Sequence, residues 1–292
     1  LYNFFSCLLR ALGNSTVPLV FLAVSAILNI AWDLLFVAVF HWGIAGAAYA
    51  TIFAQYVSGI GILLYILFRC RSLFPERKDL CFDGGILKEI AGLSSLTCLQ
   101  QSVMNFGILM VQGLVNSFGA TTMAAFAAAV KIDTFAYLPV QDFGNAYSTF
   151  IAQNYGAGNK ERIRRGTKES FAISTAFSLV ISALVFAFAA PLMQIFVSSA
   201  ETAVIASGVR YLRIEGAFYF GIGCLFLLYG YYRAIKRAEM SVVLTVISLG
   251  IRVLLAYVLS ATFLGETGIW MAIPIGWILA DLTGLLYMRK TW

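Results

Sequence analysis

Two polar side chains lie inside one of the most apolar stretches of the chain, where they could bind a cation. Asn29 and Asp33 are four residues apart within the hydrophobic segment at 15–39, so they share one face of a helix. Asp33 is predicted to lie near mid-bilayer, where a carboxylate can hold a proton or help to ligate a sodium ion. We therefore predict a cation-coupling site for H+ or Na+ at these two residues. A structural hydrogen bond is the alternative.

A stripe of polar residues follows one face of a later hydrophobic segment. Its members fall within about 60 degrees of one another around a 3.6-residue helix. They are Gln101, Asn105, Gln112 and Asn116. Polar side chains in an apolar span face a cavity or another helix rather than lipid. We predict that this stripe lines a substrate cavity, with hydrogen bonds between helices as the alternative.

The next hydrophobic segment carries charges on two opposite faces. Lys131, Asp142 and Asn145 share one face within about 40 degrees, whereas Asp133 lies nearly opposite Lys131. We predict that the first three border the same substrate cavity and that Asp133 points into the helix bundle. Contacts from other helices could equally make all of them structural. Pro139 is expected to kink this helix, because proline removes a backbone hydrogen bond.

Three further charges occur in apolar surroundings, namely Glu215, Arg252 and Asp281. Ionised groups are costly in a bilayer, so each one needs a partner or a function. We assign all three, together with Asp133, a structural role, and a pair between Glu215 and Arg252 is expected from their depth.

Catalytic and metal-binding patterns are missing from the sequence. The chain has five cysteines without a CxxC motif, and His41 is its only histidine. These residues predict neither a zinc site nor a disulfide framework, and no nucleophile with a neighbouring base is apparent. The sequence therefore predicts no enzyme, no metal site and no cofactor.

The overall composition indicates which kind of secondary structure carries these polar residues. The 292 residues are 61% hydrophobic and 12% charged, whereas soluble domains are about 45–50% apolar and 25% charged. Apolar runs of 18 or more residues recur along the chain, and each is long enough to cross a bilayer. The fold class is therefore an all-α, polytopic membrane helix bundle. Leu1 already lies in an apolar stretch, so an N-terminal portion of the protein is expected to be missing.

Eight full helices and one partial helix are predicted. Their approximate ranges are 1–12 for the partial helix, then 15–39, 43–68, 87–117, 121–155, 167–197, 202–232, 239–264 and 268–289. If these spans alternate in direction, most of the 20 Lys and Arg residues fall in connections on one side. The positive-inside rule makes that side cytoplasmic. It places the connection at 70–85 and a loop at 156–168 in the cytoplasm, with the protein in the inner membrane.

A faint internal repeat suggests two lobes. The run RALGNSTVPLVFLAVSAILNI from Arg10 resembles RAIKRAEMSVVLTVISLGIRV from Arg233. The connection at 70–85 is charged and contains proline and glycine, which is typical of a linker. We predict a first lobe at 1–69, a cytoplasmic linker at 70–85 and a second lobe at 86–292.

Several stretches resemble the multidrug and toxic compound extrusion (MATE) family. They are LLRALGNSTVP, ILNIAWDLLFV, GIAGAAYATIFAQ and the long run FGATTMAAFAAAVKIDTFAYLPVQDFGNAYSTFIAQNYGAGNKERIRR at 118–165. The resemblance covers essentially the whole chain. It implies twelve helices in two six-helix lobes, of which this chain resembles the end of helix four through helix twelve.

The resemblance also implies a function. Members of the family export cationic and amphipathic compounds in exchange for protons or sodium ions, and access alternates as two lobes rock about a central cavity. The family pattern NxxxD on helix five matches Asn29 and Asp33, and its partner acid lies on a helix outside this chain. One branch keeps acids on helices seven and ten. This sequence has none between Gly92 and Lys131 and none between Gly216 and Ala238, which favours Asp33 as the coupling residue.

Two other functions compete with this interpretation. A flippase for lipid-linked oligosaccharides, from the same wider superfamily, would need a more cationic cavity, for which Lys131 is the main candidate. An intramembrane enzyme would need clustered catalytic groups such as HExxH or paired aspartates.

The expected partners are the lipid bilayer and small cationic or amphipathic molecules, without nucleic acid, and the expected oligomeric state is a monomer.

Overall fold

The computed structural model describes residues 1–70 and 81–291, and within these ranges it contains helices and turns but no strand. The predicted all-α membrane fold is therefore confirmed. The chain divides into two compact units, Leu1–Gly84 and Gly85–Trp292. Most of the predicted linker at 70–85 lies outside the described residues, and its last two residues already belong to a helix. The predicted lobe boundaries stay a prediction.

The first unit is a small antiparallel arrangement of helices. It contains α1 (Tyr2–Ala11), α2 (Thr16–Asp33), a π-helical segment (Leu34–Val39) and α3 (Gly43–Arg69). Three side chains form its core, where Leu9, Ile62 and Ile66 are each at most 1% exposed. The side chain of Asn14 caps α2 by accepting a hydrogen bond from the Val17 N–H at 3.2 Å.

The second unit holds the larger core. Its helices are α4 (Gly84–Ser117), α5 (Ala120–Gly156), α6 (Lys160–Phe196), α7 (Thr202–Gly216), α8 (Tyr219–Ala234), α9 (Ala238–Thr245), a π-helical segment (Val246–Gly250), α10 (Ile251–Ser260) and α11 (Glu266–Thr291). Three aromatic rings join α5, α7 and α11. Trp270 stacks on Phe126 with centroids 5.6 Å apart and meets Tyr211 edge-on at 4.9 Å. Such pairs stabilise a core beyond their buried area.

Seven helical stretches among the described residues are long and apolar enough to cross a membrane, or eight if the bent pair α7 and α8 forms one span. The predicted single span at 202–232 is broken, because the two helices meet at an angle of 52°. Phe218 leaves the helical backbone conformation there (φ −117°, ψ 18°). The chain is therefore a multi-pass membrane protein, with one interrupted helix that hydropathy alone did not reveal.

The predicted loop at 156–168 is wrong beyond residue 159. Asn159 caps α6 by accepting a hydrogen bond from the Arg162 N–H at 3.0 Å, and Glu161 lies in the first turn. Both features favour a helix start, since they satisfy free N–H groups and the positive end of the helix dipole. The basic residues from Lys160 onward therefore belong to a helix that continues into the apolar span.

Candidate functional site

The predicted cation-coupling residues lie at the end of α2, beside α3. Asn29 and Asp33 are both half-buried. The side-chain amide of Asn29 donates a hydrogen bond to Thr51 Oγ1 at 3.5 Å, and the Thr51 hydroxyl donates to the Ala47 carbonyl at 3.0 Å. Thr51 therefore adds a hydroxyl oxygen to this cluster. Sequence reasoning missed it, because it lies 22 residues away on another helix.

Asp33 stands at a local change of helix type. It is the last residue of α2, and the backbone continues as the π-helical segment Leu34–Val39. Short π-helical insertions occur often at functional sites. In the part of the chain that the structure describes, the Asp33 carboxylate has neither an ion pair nor a hydrogen bond. The alternative prediction is that Asp33 makes a structural hydrogen bond. Within these residues its carboxylate has no partner for such a bond.

Asp33 can be placed along the length of its apolar stretch. The span runs from Thr16 to Val39. At 1.5 Å per residue, Asp33 lies roughly 26 Å from its start and roughly 9 Å from its end. It therefore lies nearer the end of this apolar stretch than its middle, and its depth in the bilayer stays a prediction.

The polar stripe on α4 is exposed along its whole length within the second unit. Its members Gln101, Asn105, Gln112 and Asn116 are all exposed. The opposite face carries Gly107, Val111 and Val115, which are buried. α4 therefore turns the four amides of this stripe away from the unit, whereas Gln100 on the same helix is buried. A substrate cavity at this face stays a prediction.

The face of α5 that carries Lys131, Asp142 and Asn145 is also exposed, whereas Asp133 is 3% exposed. Lys131 Nζ lies 5.8 Å from the centroid of the Phe196 ring, a distance at which an aromatic ring attracts a cation. Lys131 and Asp142 are about 16 Å apart along the helix. They are therefore too far apart to form an ion pair with each other.

Lys131 lines a groove of about 580 Å³ within the second unit. Alanines of α5 form one wall, and the end of α6 with the start of α7 forms the other, where Ser198 and Glu201 contribute polar atoms. The groove could hold a small amphipathic molecule, because it places one cation and one carboxylate beside apolar walls.

Proline acts differently in α5 and α6. α5 continues as one helix through Pro139, so the predicted kink stays a prediction. In α6 the backbone leaves the helical conformation at Phe188 (φ −104°, ψ 17°), three residues before Pro191. This is where steric conflict between the proline ring and the preceding turn is expected.

The buried charges of the second unit form a cluster around Asp133. The Tyr219 hydroxyl donates a hydrogen bond to Asp133 Oδ1, and Tyr211, Glu215 and Arg252 lie close enough to interact with the carboxylate. Within the described residues, three buried atoms have no hydrogen-bond partner, namely Oδ2 of Asp133, Oε2 of Glu215 and Nε of Arg252.

Among the described residues no contact within 4 Å joins the charged atoms of Glu215 and Arg252. Arg252 nevertheless lies close enough to Glu215 for an electrostatic interaction, and Asp133 and Tyr211 are also neighbours of Glu215. The expected pair between Glu215 and Arg252 stays a prediction. Asp281 is separate from this cluster. It lies on α11 next to Cys224, and its Oδ1 has no hydrogen-bond partner in the part of the chain that the structure describes.

A polar junction that sequence reasoning missed is centred on Glu266, the first residue of α11. Thr122 and Ser207 donate hydrogen bonds to Glu266 Oε2 at 2.9 and 3.1 Å. Arg210 Nη1 reaches Glu266 Oε1 at 3.4 Å and Thr267 Oγ1 at the same distance. One carboxylate therefore joins α5, α7 and α11 at one end of the unit.

Replacing Glu266 with Ala is expected to destabilise the second unit by about 1–3 kcal/mol, because Thr122 and Ser207 are buried and would lose their acceptor. Thermal unfolding in detergent would measure the loss. Glu239→Ala serves as the control, because Glu239 is an exposed acid at the start of α9 and its removal should cost no more than about 1 kcal/mol. Equal stability of the two variants would contradict the proposed junction.

The described residues contain no group of three or more His, Cys, Asp or Glu side chains that could hold a metal ion. Oxygen atoms of Asp33, Asn29 and Thr51 remain the ligands that a sodium ion could use in the first unit. Carboxylate, amide and hydroxyl oxygens are the donors that hard cations prefer.

Comparison with known proteins agrees with this fold. The family model MatE matches residues 96–258. "Probable multidrug resistance protein YpnP" of Bacillus subtilis is 32% identical over 99% of this chain and 64% of its own length. "Probable multidrug resistance protein NorM" of Thermotoga maritima is 27% identical over 97% and 62%. Both are named as resistance proteins rather than as enzymes.

A crystal structure of a mutant of the Vibrio cholerae MATE transporter VcmN has the same fold. The TM-score is 0.91 at 23% identity, covering 99% of this chain and 65% of that one. This chain thus spans less than two thirds of these proteins. Because the family model matches more than half of the chain, and because its helices can cross a membrane, this chain belongs to the MatE family of multi-pass membrane proteins.

Proposed function

We propose that the full-length protein exports small cationic or amphipathic molecules across the cytoplasmic membrane, in exchange for protons or sodium ions. The observation that carries this proposal is the half-buried Asp33 carboxylate, which stands without a partner in an apolar span of a MatE-family chain. The names of the two relatives as multidrug resistance proteins support the same activity.

The coupling role follows from the chemistry around Asp33. Asn29 and Thr51 are held together by a hydrogen bond, so their oxygens are available to a cation that binds the nearby carboxylate. A bound ion can shift a transporter between conformations only if it binds one of them more tightly. By linkage, the substrate then changes the affinity for the ion by the same factor. Asp33 would be the group through which the ion gradient acts.

Substrate binding is assigned to exposed polar faces of the second unit. The α4 stripe and the α5 face with Lys131, Asp142 and Asn145 combine amides with one charge of each sign. The groove beside Lys131 adds apolar walls. Polar groups that alternate with apolar surface suit amphipathic molecules of varied shape.

The orientation is part of the same proposal. The basic residues at the start of α6 and at the end of α11 would face the cytoplasm. The short connection between α6 and α7, which carries no Lys or Arg, would then face outward. We assign the protein to the inner membrane as a monomer.

The proposal is tested by drug-susceptibility profiling of cells that express the full-length protein, followed by efflux assays in everted membrane vesicles. A panel of cationic and amphipathic dyes and antibiotics is used, with imposed gradients of protons alone, sodium alone or neither. Gradient-dependent efflux of at least one compound is the expected result. Unchanged susceptibility and no efflux under either gradient, at normal membrane levels of the protein, would overturn the proposal.

A further inference from the structure

A second groove, of about 550 Å³, lies in the second unit between α6 and α11. Both of these helices pack against α8. The groove is lined by Thr167, Lys168, Phe171, Leu282, Leu285, Leu286, Met288 and Arg289. Neither the cation-coupling site nor the polar faces described above use any of these residues.

The lining changes character along the helix axes. Lys168 and Arg289 are the two cations of the lining and both are exposed, and Arg289 is the last lining residue along α11. Leu282 is seven residues from Arg289 on the same helix, which is about 10 Å along the axis. Leu282 and Leu286 are 53% and 61% exposed. The groove therefore has a cationic end and an apolar end, in the order in which a phospholipid carries its phosphate and its acyl chains.

The two cations are not neutralised by the groove itself. No acid occurs among its lining residues. The neighbouring acid Glu169 accepts a hydrogen bond from Arg165 Nε at 2.8 Å. The hydroxyl of Thr167 is already shared with Tyr147 at 2.8 Å. In the described residues neither Lys168 nor Arg289 has an acidic partner, so both charges remain available to an anion.

We propose that this groove binds an anionic phospholipid, with its phosphate between Lys168 and Arg289 and an acyl chain along the leucines of α11. Arg and Lys together suit a phosphate, because a guanidinium presents paired N–H donors and an ammonium adds a compact charge. A lipid with one net negative charge complements the two cations. A zwitterionic choline headgroup would instead bring a third positive charge to the same place.

The side of the membrane is consistent with this ligand. The basic start of α6 and the basic end of α11 meet the same membrane surface, which the positive-inside rule assigns to the cytoplasm. Anionic lipids attract basic residues near a membrane surface. The apolar walls of the groove add contacts for an acyl chain to this general attraction. We therefore expect a defined site for one lipid molecule, and not only a higher concentration of anionic lipid around the protein.

The test is a lipid titration of the purified full-length protein, read by native mass spectrometry. Phosphatidylglycerol and phosphatidylcholine are titrated separately into the wild type and into Lys168→Gln/Arg289→Gln. The wild type is expected to prefer phosphatidylglycerol. The double variant should bind it about 25-fold more weakly, since each basic residue contributes roughly fivefold near an anionic lipid. A monodisperse profile in size-exclusion chromatography shows that both proteins are folded.

A matched control removes the same charge nearby. Arg164→Gln/Lys290→Gln alters two exposed basic residues on the same two helices, outside the groove lining, and should lose clearly less phosphatidylglycerol affinity than the groove variant, because it keeps the two cations that would contact the phosphate. The proposal is overturned if this control loses as much affinity as the groove variant, or if the groove variant keeps its affinity. Equal binding of phosphatidylcholine, or full displacement of the lipid by inorganic phosphate, would also overturn it.

Discussion

An Asp33→Asn variant of the full-length protein is expected to lose gradient-driven export while reaching the membrane in normal amounts. Asn has nearly the same shape as Asp, but its amide can neither bind and release a proton as a carboxyl group does nor offer a charged ligand to sodium. Coupling between two ligands typically changes affinity 5- to 150-fold. The efflux rate under an imposed gradient should therefore fall by at least about fivefold.

The measurement is dye efflux from everted vesicles, with the amount of protein normalised by immunoblot. Glu239→Gln is the matched control, because it removes a carboxylate from an exposed position on α9. A Thr51→Val variant should show an intermediate loss, since it removes the hydroxyl that accepts the Asn29 hydrogen bond. Efflux by the Asp33 variant at the rate of the Glu239 control would exclude Asp33 as the coupling residue.

Replacing Gly276 with Ala is expected to destabilise the second unit by about 1–3 kcal/mol or more. An added Cβ would lie 2.3 Å from the backbone carbonyl oxygen of Ser248 and 3.2 Å from the Arg252 Cβ. The clash involves backbone on both sides. α11 would therefore have to move away from the π-helical segment Val246–Gly250 and from α10. Small residues allow helices in membranes to approach this closely. The extra methyl group of alanine would prevent that approach.

Gly113→Ala is the appropriate comparison, because Gly113 lies in the interior of α4 and its added Cβ would meet nothing within 4 Å. That variant should be neutral or stabilised by up to about 1 kcal/mol, since alanine favours a helix over glycine. Both variants would be followed by thermal unfolding and by yield after detergent extraction. A Gly276 variant as stable as the Gly113 variant would show that the two helices separate without penalty.

The amino-acid sequence alone determined the class of protein and the approximate position of most helices. Lipid offers no hydrogen bonds to the backbone, so a long apolar run must be helical. For the same reason, the opposite faces of α5 could be assigned in advance: Asp133 is buried and Lys131 is exposed, as the helical spacing predicts. Local capping signals at Asn159 were also present in the sequence, although the basic residues that follow suggested a loop.

Only the tertiary structure decided which side chains meet. Thr51 joins Asn29 from another helix, and Glu266 gathers Thr122 and Ser207 from more than 50 residues away. Glu215 lies beside Asp133 rather than within ion-pair distance of Arg252. Spacing along one helix fixes the face of a residue, but its partner depends on how neighbouring helices are rotated and how closely they approach. That approach is set by small residues and bends, such as the break between Gly216 and Tyr219, whose effect follows from packing rather than from hydropathy.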